Sequence, residues 1–500
     1  MRLPLTKSAA IVHGNALRID WNEVVPAAEL DYILGNPPFI GSKMMTEQQR
    51  ADLLAVAGSL KGAGILDFVS AWYLKAAEYL QLRHPREGGD SVSSVRKAIR
   101  CAFVSTNSIT QGEQVGVLWG QMLARGMKIF FAHRTFQWNN EARGVAAVHC
   151  VIVGFSSGDA GPKRLFDYDD IRGEPHQLSA TNINPYLVDA ADVLLSNRKS
   201  PISSVPAISF GSMPNDDGNL LLTDHERSEL LAREPDAEPY IRRMVGSVEF
   251  LNGILRWCLW LDGVPPDVVR SMPAVVERVR RVRNARLASG REATRKLGSV
   301  PYRFGEVRQP VGTYIGIPKT SSERRNFIPI GLMDASVVAG SELFTVFPAT
   351  LLALGIISST MHMAWVRTVC GRLKSDYRYS AGIVYNNFPW PDITEEKHHA
   401  AIESAAQGVL DARAQFADST LADLYDPLTM PPALVKAHQQ LDRAVDAAYL
   451  AAEKVAGRKA PKLDTDAERV AFLFERYQQL VSILPADKPG KAARRPRRSS

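Results

Sequence analysis

The chain has 500 residues, 45% of them hydrophobic and 23% charged, which is ordinary globular composition and too long for one compact core. Its formal net charge of +7 favours a polyanionic partner, and its four well-separated cysteines include no CxxC pair, which argues against a zinc ribbon or a redox dithiol. The first twenty residues lack the apolar core of a signal peptide. We therefore expect two to four domains in a reduced, soluble cytoplasmic protein with no membrane partner.

Residues 1–160 alternate short apolar runs with helical patterns, as an α/β domain does. Residues 30–34 are predicted to form a strand that ends at Gly35, and residues 65–80 carry apolar side chains at helical spacing. Residues 101–105 read as a second buried strand. Residues 128–132 and 145–155 are predicted to form a closing strand pair, and the polar stretch 83–97 a loop.

The composition changes after about residue 161, and three further segments are predicted. Residues 161–391 are rich in Pro, Gly, Arg and aromatic side chains and indicate a mixed α/β domain. Within it, residues 267–297 are predicted to be helical with a restart at Pro273, and the apolar run 343–361, interrupted by Pro348 and Gly355, favours a buried hairpin or helix over a membrane span. Residues 392–485 are Ala-rich and helical in pattern. Residues 486–500 form a basic tail, predicted to be disordered.

The sharpest chemical feature is Asn36-Pro37-Pro38-Phe39, which directly follows the first predicted strand. The exocyclic amine of adenine is a poor nucleophile, because its lone pair is delocalised into the ring. Two oxygens that accept its N–H groups, the Asn36 side-chain oxygen and the Pro37 carbonyl, would favour a tetrahedral, reactive nitrogen. The two prolines fix φ and hold these acceptors in place before the substrate arrives, while Phe39 would stack on a base flipped out of the duplex.

An ordinary proline loop would read the same way. The position of the tetrapeptide favours function, because open α/β sheets place their sites where strands end.

These residues resemble motif IV of class I, S-adenosylmethionine-dependent adenine-N6 DNA methyltransferases, and further segments extend the resemblance. Residues 13–17 are similar to motif III, which implies that Asn15, with Ala16 beside it, contacts the cofactor. Residues 103–115 resemble motif VI. Residues 135–155 resemble motif VIII, which implies that Phe136 or Trp138 packs against the flipped base. The string 379–391 resembles the end of the recognition domain in large MmeI-like restriction–modification methyltransferases.

One family feature is not found. The glycine-containing motif I, which holds the methionine part of S-adenosylmethionine, would precede motif III, yet only fourteen residues precede Asn15. The expected fold is therefore an incomplete Rossmann-like methyltransferase domain, followed by a mixed α/β target-recognition domain and a C-terminal helical segment. We expect an N-terminally truncated enzyme, with a missing N-terminal half or a nuclease component as possible partners. The alternative is a DNA-binding module without autonomous methylation.

Double-stranded DNA is the expected macromolecular partner, and two basic segments are candidates to bind it. The arginine-dense stretch 267–297 fits phosphate tracking and a solvated helix face about equally. The interleaved aromatic and basic residues of 301–326 fit base-edge reading, as well as a packed β-region with exposed arginines. The candidate contacts are Arg278, Arg281, Arg303, Arg308, Lys319 and Arg324. No metal site is expected, since His398 and His399 lack nearby cysteine or carboxylate ligands at suitable spacing.

Overall fold

The structure is a computed structural model that describes residues 11–82, 98–138, 148–159 and 161–482. The predicted loop 83–97 and the predicted tail 486–500 lie outside these residues. The described chain begins with an α/β part, continues through a β-rich middle part and ends in a group of helices. This order agrees with the mixed α/β fold expected from the sequence.

The first part is built on a six-stranded sheet with strand order β1-β2-β4-β3-β5-β6. Strand β1 runs parallel to β2, and β4 lies antiparallel between β2 and β3. The strands β1, β2 and β3 therefore point the same way, and their C-terminal ends share one edge of the sheet. The predicted closing pair is confirmed as β3 and β4. The strands are β1 (Tyr32–Gly35), β2 (Arg100–Thr106), β3 (Met127–Trp138), β4 (Val148–Ser157), β5 (Lys163–Asp167) and β6 (His176–Ala180).

Two helices of the first part, Ser70–Gln81 and Glu113–Ala124, pack on this sheet through buried apolar side chains. The helix predicted over 65–80 is observed as Ser70–Gln81, preceded by a 3₁₀ turn at Ala63–Ile65. Its Tyr73 stacks on Phe155 with ring centres 5.3 Å apart and shares a 2.9 Å hydrogen bond with Ser105. Strand β6 ends at Ala180, so the sheet extends past residue 160. The helices are α1 (Trp21–Val24), α2 (Glu47–Ala57), α3 (Ser70–Gln81) and α4 (Glu113–Ala124).

The middle part contains two four-stranded sheets and one three-stranded sheet, ordered β14-β9-β10-β8, β13-β11-β15-β7 and β12-β17-β16. The strands are β7 (Ala207–Phe210), β8 (Leu221–Thr223), β9 (Ile241–Val245), β10 (Arg256–Leu259), β11 (Tyr314–Pro318), β12 (Thr320–Ser321), β13 (Gly331–Met333), β14 (Val338–Ala339), β15 (Leu343–Phe347), β16 (Arg372–Leu373) and β17 (Asp376–Arg378). The helices are α5 (Asp224–Arg233), α6 (Ser247–Asn252), α7 (Pro266–Arg270), α8 (Pro273–Ala288), α9 (Glu292–Lys296), α10 (Leu351–Ile357) and α11 (Thr360–Val369).

The C-terminal helices share one continuous hydrophobic core with the first sheet and with α10 and α11. Residues 220–304 form most of a separate, smaller core. The buried Arg476 guanidinium bonds the Trp390 carbonyl at 2.9 Å and the Glu453 carboxylate at 2.8 Å, and thereby fixes the end of the middle part to the helices. The helices are α12 (Glu396–Ala414), α13 (Leu421–Leu424), α14 (Pro432–Val455) and α15 (Asp466–Val481).

The apolar run 343–361 divides into β15, α10 and the start of α11. Its buried, broken form agrees with the prediction. Among the residues that the structure describes, no helix combines the length and the hydropathy needed to cross a membrane.

The arginine-dense stretch is helical and breaks at the predicted proline, since α7 ends at Arg270 and α8 begins at Pro273. One of its arginines is structural. Arg286 is 1% exposed and donates five hydrogen bonds to main-chain carbonyls, of Pro214, Asn215, Leu297, Val300 and Arg303. A charged side chain buried in this way is stabilised only because every donor has a partner.

We predict that Arg286→Met lowers the free energy of unfolding by about 3–5 kcal/mol, because five buried carbonyls lose their donor. Arg281→Met on the same helix is the matched control: that side chain is 61% exposed, and the change should stay within about 0.5 kcal/mol. Chemical denaturation monitored by circular dichroism measures both. Equal losses in the two variants would contradict a structural role for Arg286.

Candidate active site and basic cavity

The residues Asn36-Pro37-Pro38-Phe39, here called the acceptor turn, leave the sheet directly after β1. Gly35 lies against the Phe103 ring, which a Cβ at this position would approach to 3.1 Å. Asn36 is exposed, and no described residue hydrogen-bonds its side chain, while Pro37 is buried and Phe39 is half-buried. The backbone at the start of the turn is therefore held in place, whereas the Asn36 side-chain amide has no hydrogen-bond partner among the described residues.

Three residues of the acceptor turn, Asn36, Pro37 and Pro38, line a cavity of about 690 Å³, here called the apolar cavity. Ala16, one of the two predicted cofactor contacts, lines it as well. The volume lies within the range of small-molecule sites. None of the described residues that line it is charged, and its walls are mostly aromatic and aliphatic, including Trp21, Val24, Val25, Leu30, Tyr32, Trp72 and Tyr79.

Asn15, the other predicted cofactor contact, is held beside this cavity and does not line it. Its side-chain amide donates to Asp52 at 2.8 Å, and its oxygen accepts from the Leu17 backbone at 3.0 Å. Burial opposes ionisation of Asp52, but hydrogen bonds from Arg18, Asn15 and Gln48 outweigh it, so the pKa of Asp52 lies below its usual value. Asn15 thus acts in this structure as a local support.

The Asp67 carboxylate ties the loop that follows the acceptor turn to the end of β2. It accepts from the Ser42 backbone at 2.8 Å and from the Ser108 hydroxyl. Two backbone hydrogen bonds reinforce this connection. The Phe68 amide donates to the Ile40 carbonyl at 2.9 Å, and the Asp67 amide donates to the Gln114 side-chain oxygen at 2.9 Å. Charge-assisted bonds of this kind hold a loop more firmly than neutral ones.

The two predicted base-stacking residues lie at the C-terminal end of β3, on the same sheet edge as the acceptor turn. Phe136 stacks on Tyr168 with ring centres 5.5 Å apart, and Trp138 is 44% exposed, with its ring centre 6.0 Å from that of Phe136. The Tyr168 hydroxyl bonds His133 at 2.8 Å. Burial raises the pKa of Tyr168, with Glu174 adding to the effect, and lowers that of His133, so the neutral forms of both are favoured.

A second cavity, of about 710 Å³ and here called the basic cavity, lies between the first sheet's loops and the middle part. Ser108, which also bonds Asp67, is one of its lining residues. Glu113 is the one carboxylate among the described residues that line it, and it accepts from Asn197 at 2.6 Å. The cations that line it are Arg198, Lys199, Arg308, Lys319, Arg372 and Arg378.

The structure thus brings together two of the six predicted DNA contacts, Arg308 and Lys319. Arg278 packs inward, where it bonds the Asn219 carbonyl at 3.1 Å and Glu226 at 3.0 Å, and Arg281 pairs with Glu277 on an exposed helix face. The other two lie outside the cavity lining: Arg303 pairs with Asp262 at 2.5 Å, and Arg324 is exposed. The assignment of the six residues stays a prediction.

Sequence reasoning missed several residues of this site. Asp67 carried no signal beyond its place near the start of the helix predicted over 65–80, and Arg198, Lys199, Arg372 and Arg378 reach the basic cavity from segments far apart in the chain. His398 and His399 lie on α12, and nowhere in the described ranges do three His, Cys, Asp or Glu side chains gather as a metal site.

Comparison with known proteins gives a consistent result along the chain. It matches the family models described as MmeI, DNA-methyltransferase domain (residues 1–167), MmeI, target recognition domain (189–392) and MmeI, C-terminal domain (394–485). DNA methyltransferase A of Bacillus subtilis (strain 168) is 38% identical over 481 residues, which are 96% of this chain and 51% of that protein. The type IIL restriction-modification enzyme MmeI, solved in complex with DNA, is 49% identical with a TM-score of 0.81, over 96% of this chain and 61% of that one. The chain thus spans about half to three-fifths of these relatives.

We predict that Asp67→Ala frees the loop after the acceptor turn, since the Ser42 amide and the Ser108 hydroxyl both lose their acceptor. Amide hydrogen exchange across residues 39–42 should speed up at least tenfold, with a loss of about 1–3 kcal/mol in the free energy of unfolding. Asp67→Asn keeps one acceptor oxygen and should fall between the wild type and Asp67→Ala. Unchanged exchange in the Ala variant would show that the carboxylate does not hold the loop.

Proposed function

Because this chain belongs to the MmeI family of DNA methyltransferases, we propose that it transfers a methyl group from S-adenosylmethionine to N6 of adenine in double-stranded DNA. One observation carries the proposal: the acceptor turn lines a ligand-sized cavity at the C-terminal end of a sheet strand, with the Asn36 amide exposed and unpartnered among the described residues. Restriction–modification or phage defence is the proposed biological setting.

The acceptor turn performs the chemical work of the chain. The Asn36 side-chain oxygen and the Pro37 carbonyl accept the two N–H groups of the adenine amine and raise the reactivity of its lone pair. Such acceptors act on charge that develops in the transition state, and they are effective because they need no reorganisation. Pro37 and Pro38 restrict φ at the two central positions of the turn, and the hydrogen bonds to Asp67 hold the loop that follows it.

The flipped adenine would lie between the acceptor turn and the end of β3. Strands β1 and β3 are separated by β2 and β4, so their backbones are about 14 Å apart across three strand spacings. A purine above this edge of the sheet, over the ends of β2 and β4, would meet a side chain from each flank. Phe39 and Phe136 would contact its faces, and Tyr168 stacked behind Phe136 would keep that ring in place.

The apolar cavity is the proposed cofactor site, and its residues fit part of the cofactor. The apolar side chains of Trp21, Tyr32 and Ala16 would contact the adenine ring of the cofactor. Residues 36–38 border the part of the cavity where its methyl group would lie. When bound, S-adenosylmethionine supplies an electrophilic methyl group on its sulfonium. Its amino acid end is charged, and no charged side chain lines the cavity among the described residues.

That uncharged lining favours a second candidate, a DNA-binding module that needs a further polypeptide for methylation. The engagement of Asn15 with Asp52 points the same way, because it occupies a side chain expected to contact the cofactor. Isothermal titration of the chain with S-adenosylmethionine separates the candidates. Binding favours the enzyme, whereas DNA binding without cofactor binding favours the module and implies a partner such as a missing N-terminal half or a nuclease component.

We predict that Asn36→Ala lowers the rate of methyl transfer about 100-fold or more, because one of the two acceptors is lost. DNA affinity should stay within about twofold of the wild type, since we expect specific DNA binding to depend on the middle part of the chain. Incubation of a plasmid with radiolabelled S-adenosylmethionine, followed by nucleoside mass spectrometry, measures the methyl transfer. Asn252→Ala, an exposed asparagine on α6, is the control and should retain full activity.

Methyl groups found on cytosine instead of adenine N6 would contradict the proposed target atom. Full activity in Asn36→Ala would contradict the role of the acceptor turn.

A further inference from the structure

Phe210 is an aromatic side chain that the basic cavity leaves open to solvent. It is the last residue of β7, pairs in register with Phe344 of β15, and is 41% exposed. Leaving a phenyl ring in water forfeits part of the free energy that burial would supply. A single exposed ring is ordinary on a protein surface. This ring differs because it lines a cavity together with six cations, a setting suited to a nucleotide.

The backbone that carries Phe210 is rigid. Its ring packs on Phe344 with centres 4.8 Å apart. A Cβ on the next residue, Gly211, would lie 2.2 Å from the Gly340 carbonyl oxygen. The segments that follow β7 and β14 therefore approach each other more closely than any residue but glycine allows at this position. Ser212 then donates its amide to Ala339 at 2.7 Å and accepts the Arg308 amide on its hydroxyl at 3.0 Å. The phenyl ring and Arg308 are thus fixed relative to each other.

Two cations flank the ring. The Arg308 guanidinium carbon lies 5.7 Å from the ring centre, and the Lys319 ammonium nitrogen lies 5.4 Å from it. Arg308 pairs with Glu306, and Lys319 lies 3.5 Å from Glu342, yet these carboxylates are 40% and 63% exposed. The Arg308–Glu306 pair is exposed on both sides and therefore weak, so Arg308 is available to an incoming phosphate. Lys319 is itself 20% exposed, but it lines the basic cavity and its carboxylate partner is solvated.

We infer that Phe210 stacks on an unpaired base of the bound DNA while Arg308 and Lys319 bind phosphates of the same strand. Proteins that hold unstacked nucleotides combine an aromatic platform with a cationic groove, which is the arrangement of these three residues. A base displaced from its stack is what the proposed methyl transfer requires, so the inference rests on the proposed function. It adds a contact within the middle part, remote in sequence from the acceptor turn.

Fluorescence anisotropy with two labelled 20-base-pair duplexes tests the inference. One duplex is fully paired and of mixed sequence, and the other carries a central adenine opposite an abasic site, so that this adenine is unpaired. The wild-type chain should prefer the second duplex. Phe210→Ala should weaken binding of the unpaired-adenine duplex about tenfold or more and that of the paired duplex less than about twofold. Phe210→Trp should keep the preference, because its ring still stacks.

The cations give an independent readout. Arg308→Gln and Lys319→Gln should weaken both duplexes alike and should each lower the slope of log affinity against log salt by about one. Matched controls are Phe347→Ala, a ring 37% exposed on β15 outside the cavity lining, and Lys397→Gln on α12, a side chain 69% exposed. Both should behave as the wild type. Thermal unfolding of each variant checks that it is folded.

The outcomes separate the inference from the proposed function. A wild-type chain that binds neither duplex contradicts the proposed DNA methyltransferase function itself. A wild type that binds both duplexes, with a Phe210→Ala variant that keeps the preference or loses affinity for both equally, overturns the inference alone.

Discussion

The site depends on the attachment of one loop to one sheet edge. Two prolines restrict the backbone after β1, and the Asp67 carboxylate binds both the Ser42 amide and the Ser108 hydroxyl. A pair of oxygen acceptors can lower a reaction barrier only if it is held in place before the substrate arrives. The same carboxylate connects the acceptor turn to a wall of the basic cavity, because Ser108 lines that cavity. The proposed chemistry and the proposed DNA contacts therefore share a support.

The parallel direction of β1, β2 and β3 has a related effect. It brings the acceptor turn, the Ser108 region and Phe136 to one edge of the sheet, although about a hundred residues separate the first from the last. Behind this edge, a continuous core joins the first sheet to the C-terminal helices. The helices thus stabilise the platform on which the edge is built, and the middle part adds the cationic wall opposite.

Charge on this chain serves two purposes that a count cannot separate. Arg286 and Arg476 are buried and bond main-chain carbonyls or carboxylates, so they hold the fold together. Arg308 and Lys319 lie on a cavity wall, where their counter-ions are exposed. The arginine-dense helix α8 contains both a structural residue and solvent-exposed pairs. The position of each cation in the fold, and not the net positive charge, therefore decides whether it stabilises the fold or faces the basic cavity.

The sequence by itself determined the strands β1 to β4, the helix α3, the break at Pro273 and the helical C-terminal segment. These depend on local periodicity, on proline and glycine, and on the chemistry of Asn36 and its neighbours, which act over a few residues. Only the tertiary structure decided that Asp67 supports the turn, that Asn15 is engaged by Asp52, and which of many arginines face the basic cavity. Such contacts join residues far apart in the chain, and they form only when the chain packs. The local sequence pattern therefore does not predict them.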